Sequence, residues 1–205
     1  MSYSSLWVID NNYNGEELYE YKNSWLLSPV VFDVLYEKYL PEEIFNKAMG
    51  YKKNFISESM FDRTLPNRLN NKINDSTIQQ DRAIWELVNQ QIFFTKDKKF
   101  VSEALATFLK ANRRFAHDLN KDIFARFNKV SEEILSIDQQ EYPCFVFKNT
   151  SVDDAVLTWF EKYDGKNDEY IKCSLTEVEE RICDFVVIEN NEIKGWVNNL
   201  KYFNK

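Results

Sequence analysis

The sequence predicts one α+β domain over residues 1–205, with amphipathic helices interleaved among short strands and a C-terminal β-hairpin in a sheet packed by helices. Three observations carry this expectation. Lys98–Asn112 and Asn120–Leu135 repeat apolar residues at helical spacing: Phe100, Val101, Ala104, Leu105, Phe108 and Leu109 in the first, Ile123, Phe127, Val130 and Ile134 in the second. Leu6–Ile9, Gln91–Thr95 and Cys144–Phe147 are short apolar runs of strand length. Strands and helices alternate along the chain, which an all-helical bundle does not do.

In chain order, Leu6–Ile9 closes in Asp10-Asn11-Asn12 and Asn14-Gly15, so a strand turns back, with Glu17–Tyr21 as its return. Ser28-Pro29 predicts a helix start, with Ser28 as N-cap and Pro29 in the first turn, and Val30–Tyr39 is apolar nearly all round and hence buried. Leu40-Pro41 ends that helix, and Pro41-Glu42-Glu43 opens another short one. Residues 52–77, with Pro66 and Asn67–Asn71, read as an irregular loop with short elements, the kind of segment that often serves binding. Asp81–Val88 reads as a helix. Thr150 or Ser151 caps a helix running to Tyr163, Tyr163–Asn167 forms a loop, and Ser174–Glu177 is a capping box opening a short helix to Ile182. Phe185–Ile188 and Ile193–Val197 form the hairpin, because Asn190-Asn191 tolerates the positive φ of a two-residue turn. A weak echo links Ile92–Leu109 with Phe145–Phe160: strand, loop, then helix with matching apolar positions, which shared secondary-structure physics explains, with internal duplication as the alternative.

Composition excludes more than it identifies. The 205 residues carry no run near the ~20 apolar residues of a membrane helix. The first residues lack a basic-then-apolar leader, so a cytoplasmic protein is expected. Cys144, Cys173 and Cys183 show neither disulfide arithmetic nor zinc spacing and read as reduced thiols. Four separated glycines rule out a phosphate-cradling loop, so no nucleotide cofactor is expected. His117 is the only histidine, which removes multi-histidine metal sites. It reads as a surface or capping residue rather than a base for a cysteine nucleophile. Richness in Asn, Lys and Ile follows AT-rich codons and points to a low-GC bacterium, a phage or a mobile element.

Net charge is −7, and it is unevenly placed. Residues 150–192 hold twelve acidic and four basic side chains, which leaves the rest of the chain near neutral. Such a region repels phosphate and anionic membranes and attracts basic protein surfaces. Nucleic acid is therefore a poor partner. Lys52-Lys53, Lys96 with Lys98-Lys99, and Arg113-Arg114 read as ordinary surface. Acidic pairs at neighbouring helix positions, such as Glu132-Glu133 and Glu179-Glu180, do not point together and form no shared site.

Three functions fit. The favoured one is a non-enzymatic protein that recognises or inhibits another, basic protein, with Asp153, Asp154, Glu161, Asp164, Asp168 and Glu169 as partner-binding residues and no metal or cofactor. In composition alone the chain is similar to toxin-immunity proteins and phage-encoded inhibitors of host defence. The second is a metal-dependent nuclease in which Asp184 and the Glu192-Ile193-Lys194 triplet hold a divalent ion and orient water. Glu192, at the turn, is expected to face Glu189 rather than Asp184. The third is a structural or regulatory component of a phage or mobile element, for which size-exclusion mass would show whether it self-assembles.

Overall fold

A computed structural model of the chain describes residues 3–12, 14–22, 26–46, 50–149, 161–172, 181 and 183–203. Its strands are β1 (Tyr3–Ile9), β2 (Gly15–Lys22), β3 (Phe45–Asn46), β4 (Tyr51–Lys52), β5 (Ile92–Phe94), β6 (Cys144–Lys148), β7 (Glu161–Asp164), β8 (Glu169–Lys172), β9 (Asp184–Glu189) and β10 (Glu192–Asn198). Its helices are α1 (Leu27–Tyr39), α2 (Phe55–Phe61), α3 (Leu65–Asn74), α4 (Gln79–Val88), α5 (Lys98–Ala111), α6 (Lys121–Ser136) and α7 (Asn199–Phe203).

Six strands form one mixed sheet in the order β10-β9-β5-β6-β1-β2. Only the β5–β9 pair is parallel. The strands sort their side chains with a period of two. Leu6, Val8, Phe93, Phe145, Phe147, Val186 and Ile188 face the helices and join the main core. Trp7, Ile9, Ile92, Cys144, Val146 and Phe185 face the other way, where Tyr202 and Phe203 of α7 pack against them. Central strands buried on both faces read as continuous apolar runs, which is why Cys144–Phe147 of β6 and Phe185–Ile188 of β9 are hydrophobic without alternation. The α+β class holds, with the C-terminal hairpin β9–β10 at one edge of the sheet. Its turn places Asn190 at φ 53° and Asn191 at φ 61°, as a tight turn between twisted strands requires.

The structure corrects four local expectations. Residues 52–77 are largely helical, as α2 and α3. Asn54 caps α2 by accepting from the Ser57 amide at 3.0 Å. Leu65, Leu69 and Ile73, spaced four apart, bury one face of α3, and Pro66 sits in its first turn, where a missing N–H costs nothing. Pro41–Glu43 is a turn rather than a helix, closed by Glu43 N–H donating to the Leu40 carbonyl. The chain is then drawn into the β3–β4 ribbon. Helix α1 starts at Leu27, so Ser28 lies inside it; its hydroxyl donates to Asn149 Oδ1 and caps nothing. Glu161–Tyr163 is strand rather than helix end, because β7 pairs with β8. The remainder of the helix expected from residue 151, and the short one expected from Ser174 to Ile182, lie outside the described residues, as does Cys173.

Candidate functional site

Helix α4 positions the most unusual group in the molecule. It packs against α1, α3, α5, β6 and β10, so seven of its ten side chains are buried, two carboxylates included. Glu86 lies in its last turn, 5% exposed. One hydrogen bond reaches its carboxylate from the described residues: Trp196 Nε1–H donates to Oε2 at 2.9 Å. The Glu86 carboxyl is raised to about 7, chiefly by burial and in part by the nearby Asp184 charge, while the Trp196 bond and Arg82 pull the other way. The negative end of the helix dipole adds to the cost of a charge at this position.

Trp196 reaches Glu86 because β10 is irregular. Ile193 pairs with Ile188 and Gly195 with Val187, so one extra residue enters the strand between them. In a regular strand Ile193 and Trp196, three apart, would face opposite sides. The bulge puts both on the helix side. Gly195 makes it possible with φ at 147°, a value that side chains rarely adopt.

Glu86, Asp184 and Trp196 line a cleft of about 260 Å³ together with Asn70, Asn74, Gln91 and Arg181. Asn70 and Asn74 stand one turn apart on α3. Asn70 Oδ1 accepts from Trp85 Nε1 at 2.8 Å and from Asn74 Nδ2 at 3.2 Å. Asn74 Oδ1 is buried and has no partner among the described residues. Asp184 pairs with the Arg181 guanidinium at the rim. The lining thus offers two carboxylates, amide oxygens and a tryptophan ring that is 41% exposed. A proton can move on or off Glu86 near neutral pH, and among the described residues the lining consists of carboxylates, amides, an indole and a guanidinium.

The second feature is the β7–β8 hairpin, a two-stranded sheet separate from the main one. Tyr163 and Tyr170 face each other in register, their ring centroids 5.5 Å apart, and they are 56% and 71% exposed. Tyr163 O–H donates to Asp168, which ties the ring to the turn. Asp164 accepts from the Lys166 amide at 3.0 Å and from Asn167 Nδ2 at 2.8 Å. Glu169 is exposed and directly opposite Asp164.

Of the partner-binding residues expected from sequence, Asp164, Asp168 and Glu169 therefore cluster at one hairpin end. Glu161 is at the start of β7, and Asp153 and Asp154 lie outside the described residues. The nuclease constellation is not assembled. Asp184 pairs with Asn198 and Glu192 with Glu189, at opposite ends of the ladder and roughly 17 Å apart at strand spacing. Lys194 closes on Glu192 itself. Among the described residues no three His, Cys, Asp or Glu side chains converge as a metal site. No described helix is long and apolar enough to cross a membrane. Cys144 and Cys183 are buried, and burial holds each thiol at about 12. His117 is exposed beside Asp118, 3.1 Å away.

Sequence reasoning missed Glu86 altogether. The available signal was a glutamate set among Ala83, Ile84, Trp85, Leu87 and Val88, in a helix too apolar to leave it in water. A larger cleft, about 520 Å³, lies where α5 leads to α6, lined by Lys110, Arg113, Lys121 and Phe124. It is basic and so unlike the rest of the charge balance. Compared with known proteins, the chain matches no family, no curated protein and no solved structure.

Proposed function

We propose that this protein acts by docking on a second protein that carries a basic surface, in the manner of a stoichiometric inhibitor or immunity protein. The observation that supports it is the β7–β8 hairpin, where two exposed, mutually packed tyrosines sit beside Asp164, Asp168 and Glu169. Water-exposed aromatic pairs are costly for a monomer to display and are favoured anchors at interfaces. Like charges directly opposite, as at Asp164 and Glu169, are unfavourable until a cation arrives between them. The surrounding stretch 150–192 is acidic overall, which steers a basic partner and repels nucleic acid.

The test is affinity capture from the native host, followed by reconstitution with the recovered partner. The Tyr163→Ala/Tyr170→Ala double variant should bind at least tenfold more weakly. Asp164→Asn/Glu169→Gln should slow association and flatten its salt dependence. Recovery of no partner at low salt, or equal binding by the double tyrosine variant, overturns the reading.

A further inference from the structure

The cleft described above has a specific vacancy of charge. Two carboxylates face it, Glu86 and Asp184, yet among the described residues only Asp184 has a cation within ion-pairing distance, and that cation is a guanidinium, Arg181. Glu86 has one donor and no ion pair among the described residues. Among them too, Asn74 Oδ1 is an acceptor without a donor. Beside them stands the half-exposed Trp196 ring. What is missing is a donor-rich, planar, positively charged group that can satisfy two oxygens and lie against an indole. An ammonium supplies charge and donors but no plane. A guanidinium supplies all three, with five N–H donors in a fixed fork and a face that stacks on aromatic rings.

We propose that the Glu86–Asp184 cleft receives an arginine side chain of the basic partner, held by the Glu86 carboxylate, the Asn74 carbonyl and the face of Trp196. The inference rests on the docking reading above and names the partner's chemistry at one further point. Arg181 is a precedent within the molecule: it shows that a guanidinium fits the mouth of this cleft against Asp184.

The charge-bearing groups around Glu86 are Arg82 on its own helix, Asp184 on β9 and Arg181 at the rim; α3 contributes only the neutral Asn70 and Asn74. A guanidinium entering this set favours ionised Glu86, so binding must expel the proton that burial retains. That coupling distinguishes the site from a generic acidic surface.

The experiment uses the full chain and N-acetyl-arginine methylamide as probe, with the lysine and citrulline analogues beside it. Calorimetry in buffers of different ionisation enthalpy should show proton release on binding at pH 6 and none at pH 9. Affinity for the arginine probe should fall about tenfold from pH 8 to pH 6, given a Glu86 carboxyl near 7. The uncharged citrulline analogue should not bind, and the lysine analogue should bind several-fold more weakly. Glu86→Gln should abolish both the proton release and the pH dependence. On the unsubstituted protein, the Trp196 indole N–H resonance should move on titration, which keeps the test independent of how the variant folds. Equal binding of arginine and citrulline analogues, or an unmoved Trp196 resonance, overturns the assignment. Equal binding of the lysine analogue overturns the choice of guanidinium. If the probe behaves as expected while the tyrosine variant still captures its partner, the hairpin reading fails and the cleft stands; the reverse pattern removes the cleft alone.

Discussion

Helix α4 buries a carboxylate at each end and treats the two in opposite ways. Asp81, in the first turn, is 2% exposed. It accepts from Lys38 Nζ at 2.5 Å, from Tyr39 O–H at 2.7 Å and from Asn112 Nδ2 at 3.2 Å. It also lies at the positive end of the helix dipole, where an anion is favoured. Glu86, in the last turn, has Trp196 as its one hydrogen-bond donor among the described residues, no ion pair, and the negative end of the same dipole. Both are acids at nearly equal burial on one ten-residue helix. The difference shows that burial alone does not mark a functional carboxylate. A buried charge whose donors and counter-ion are all supplied by the fold belongs to the fold. One left short of them is poised for something from outside.

The largest effect is expected at Asp81. Asp81→Ala strands the Lys38 ammonium and removes the acceptor of Tyr39 and Asn112. Breaking a buried pair from one side costs about 3–5 kcal/mol. Urea denaturation at pH 7 should show that loss. Replacing both partners together, as Lys38→Met with Asp81→Leu, should recover most of it, because no uncompensated charge remains. A single variant that loses under about 1 kcal/mol would show that Asp81 is no more anchored than Glu86.

Glu86 should behave in the opposite sense. Its carboxyl is raised by burial to about 7 in the folded protein, from about 4.5 in the unfolded chain. The folded state therefore holds its proton longer. Below about pH 4.5 both states are protonated and the group is neutral to stability. As pH climbs toward 7 the unfolded chain ionises first, and stability falls. Above about pH 7 the full penalty is present, about 3 kcal/mol. Glu86→Gln keeps the shape and an acceptor for Trp196 while removing the penalty. The variant should match the parent at pH 4.5 and exceed it by up to about 3 kcal/mol at pH 8, measured by denaturation across that range. Parallel stability curves for the two proteins would place Glu86 among the settled groups with Asp81.

The contrast between these residues also explains what the sequence makes legible. Helices α5 and α6 and the Asn190-Asn191 hairpin are written in local patterns: apolar spacing, a capping Asn120 and a turn dipeptide. The segment 52–77 misleads because Asn-rich, Pro-containing composition suggests loop, while the four-residue spacing of Leu65, Leu69 and Ile73 quietly specifies a helix. The acids at Asp164, Asp168 and Glu169 are visible as composition, though their tyrosine framing needs the β7–β8 register. For Glu86 the apolar run around it signals burial, but nothing local signals a site. Its donor lies 110 residues away, and its fate depends on which helix end it occupies and on what packs over it. Asp184 is singled out by sequence for a metal with Glu192, yet it pairs with Arg181 and shares its cleft with Glu86, brought by a helix rather than by its own hairpin.

A smaller effect acts through Gly195. An added Cβ there would meet no atom within 4 Å, so space does not demand glycine; φ at 147° does. Holding a side-chain-bearing residue in so rare a conformation costs about 1–3 kcal/mol. Gly195→Val should lose about that much, at the upper end because a β-branched side chain also restricts χ1. The larger consequence is directional. If the strand relieves strain by expelling the bulge, Trp196 shifts by one position and turns to the opposite face of the sheet. Glu86 then loses its donor, and its carboxyl rises further. The Trp196 indole N–H signal should move toward a solvent-exposed position, and the pH at which stability begins to level off should rise above that of the parent. Asp81 shares no partner with Gly195, so the Lys38–Asp81 bond should be untouched. A variant that weakens both ends of α4 alike would mean that the bulge supports the whole helix, and the distinction between a settled and an unsettled carboxylate would have to rest on Glu86 alone.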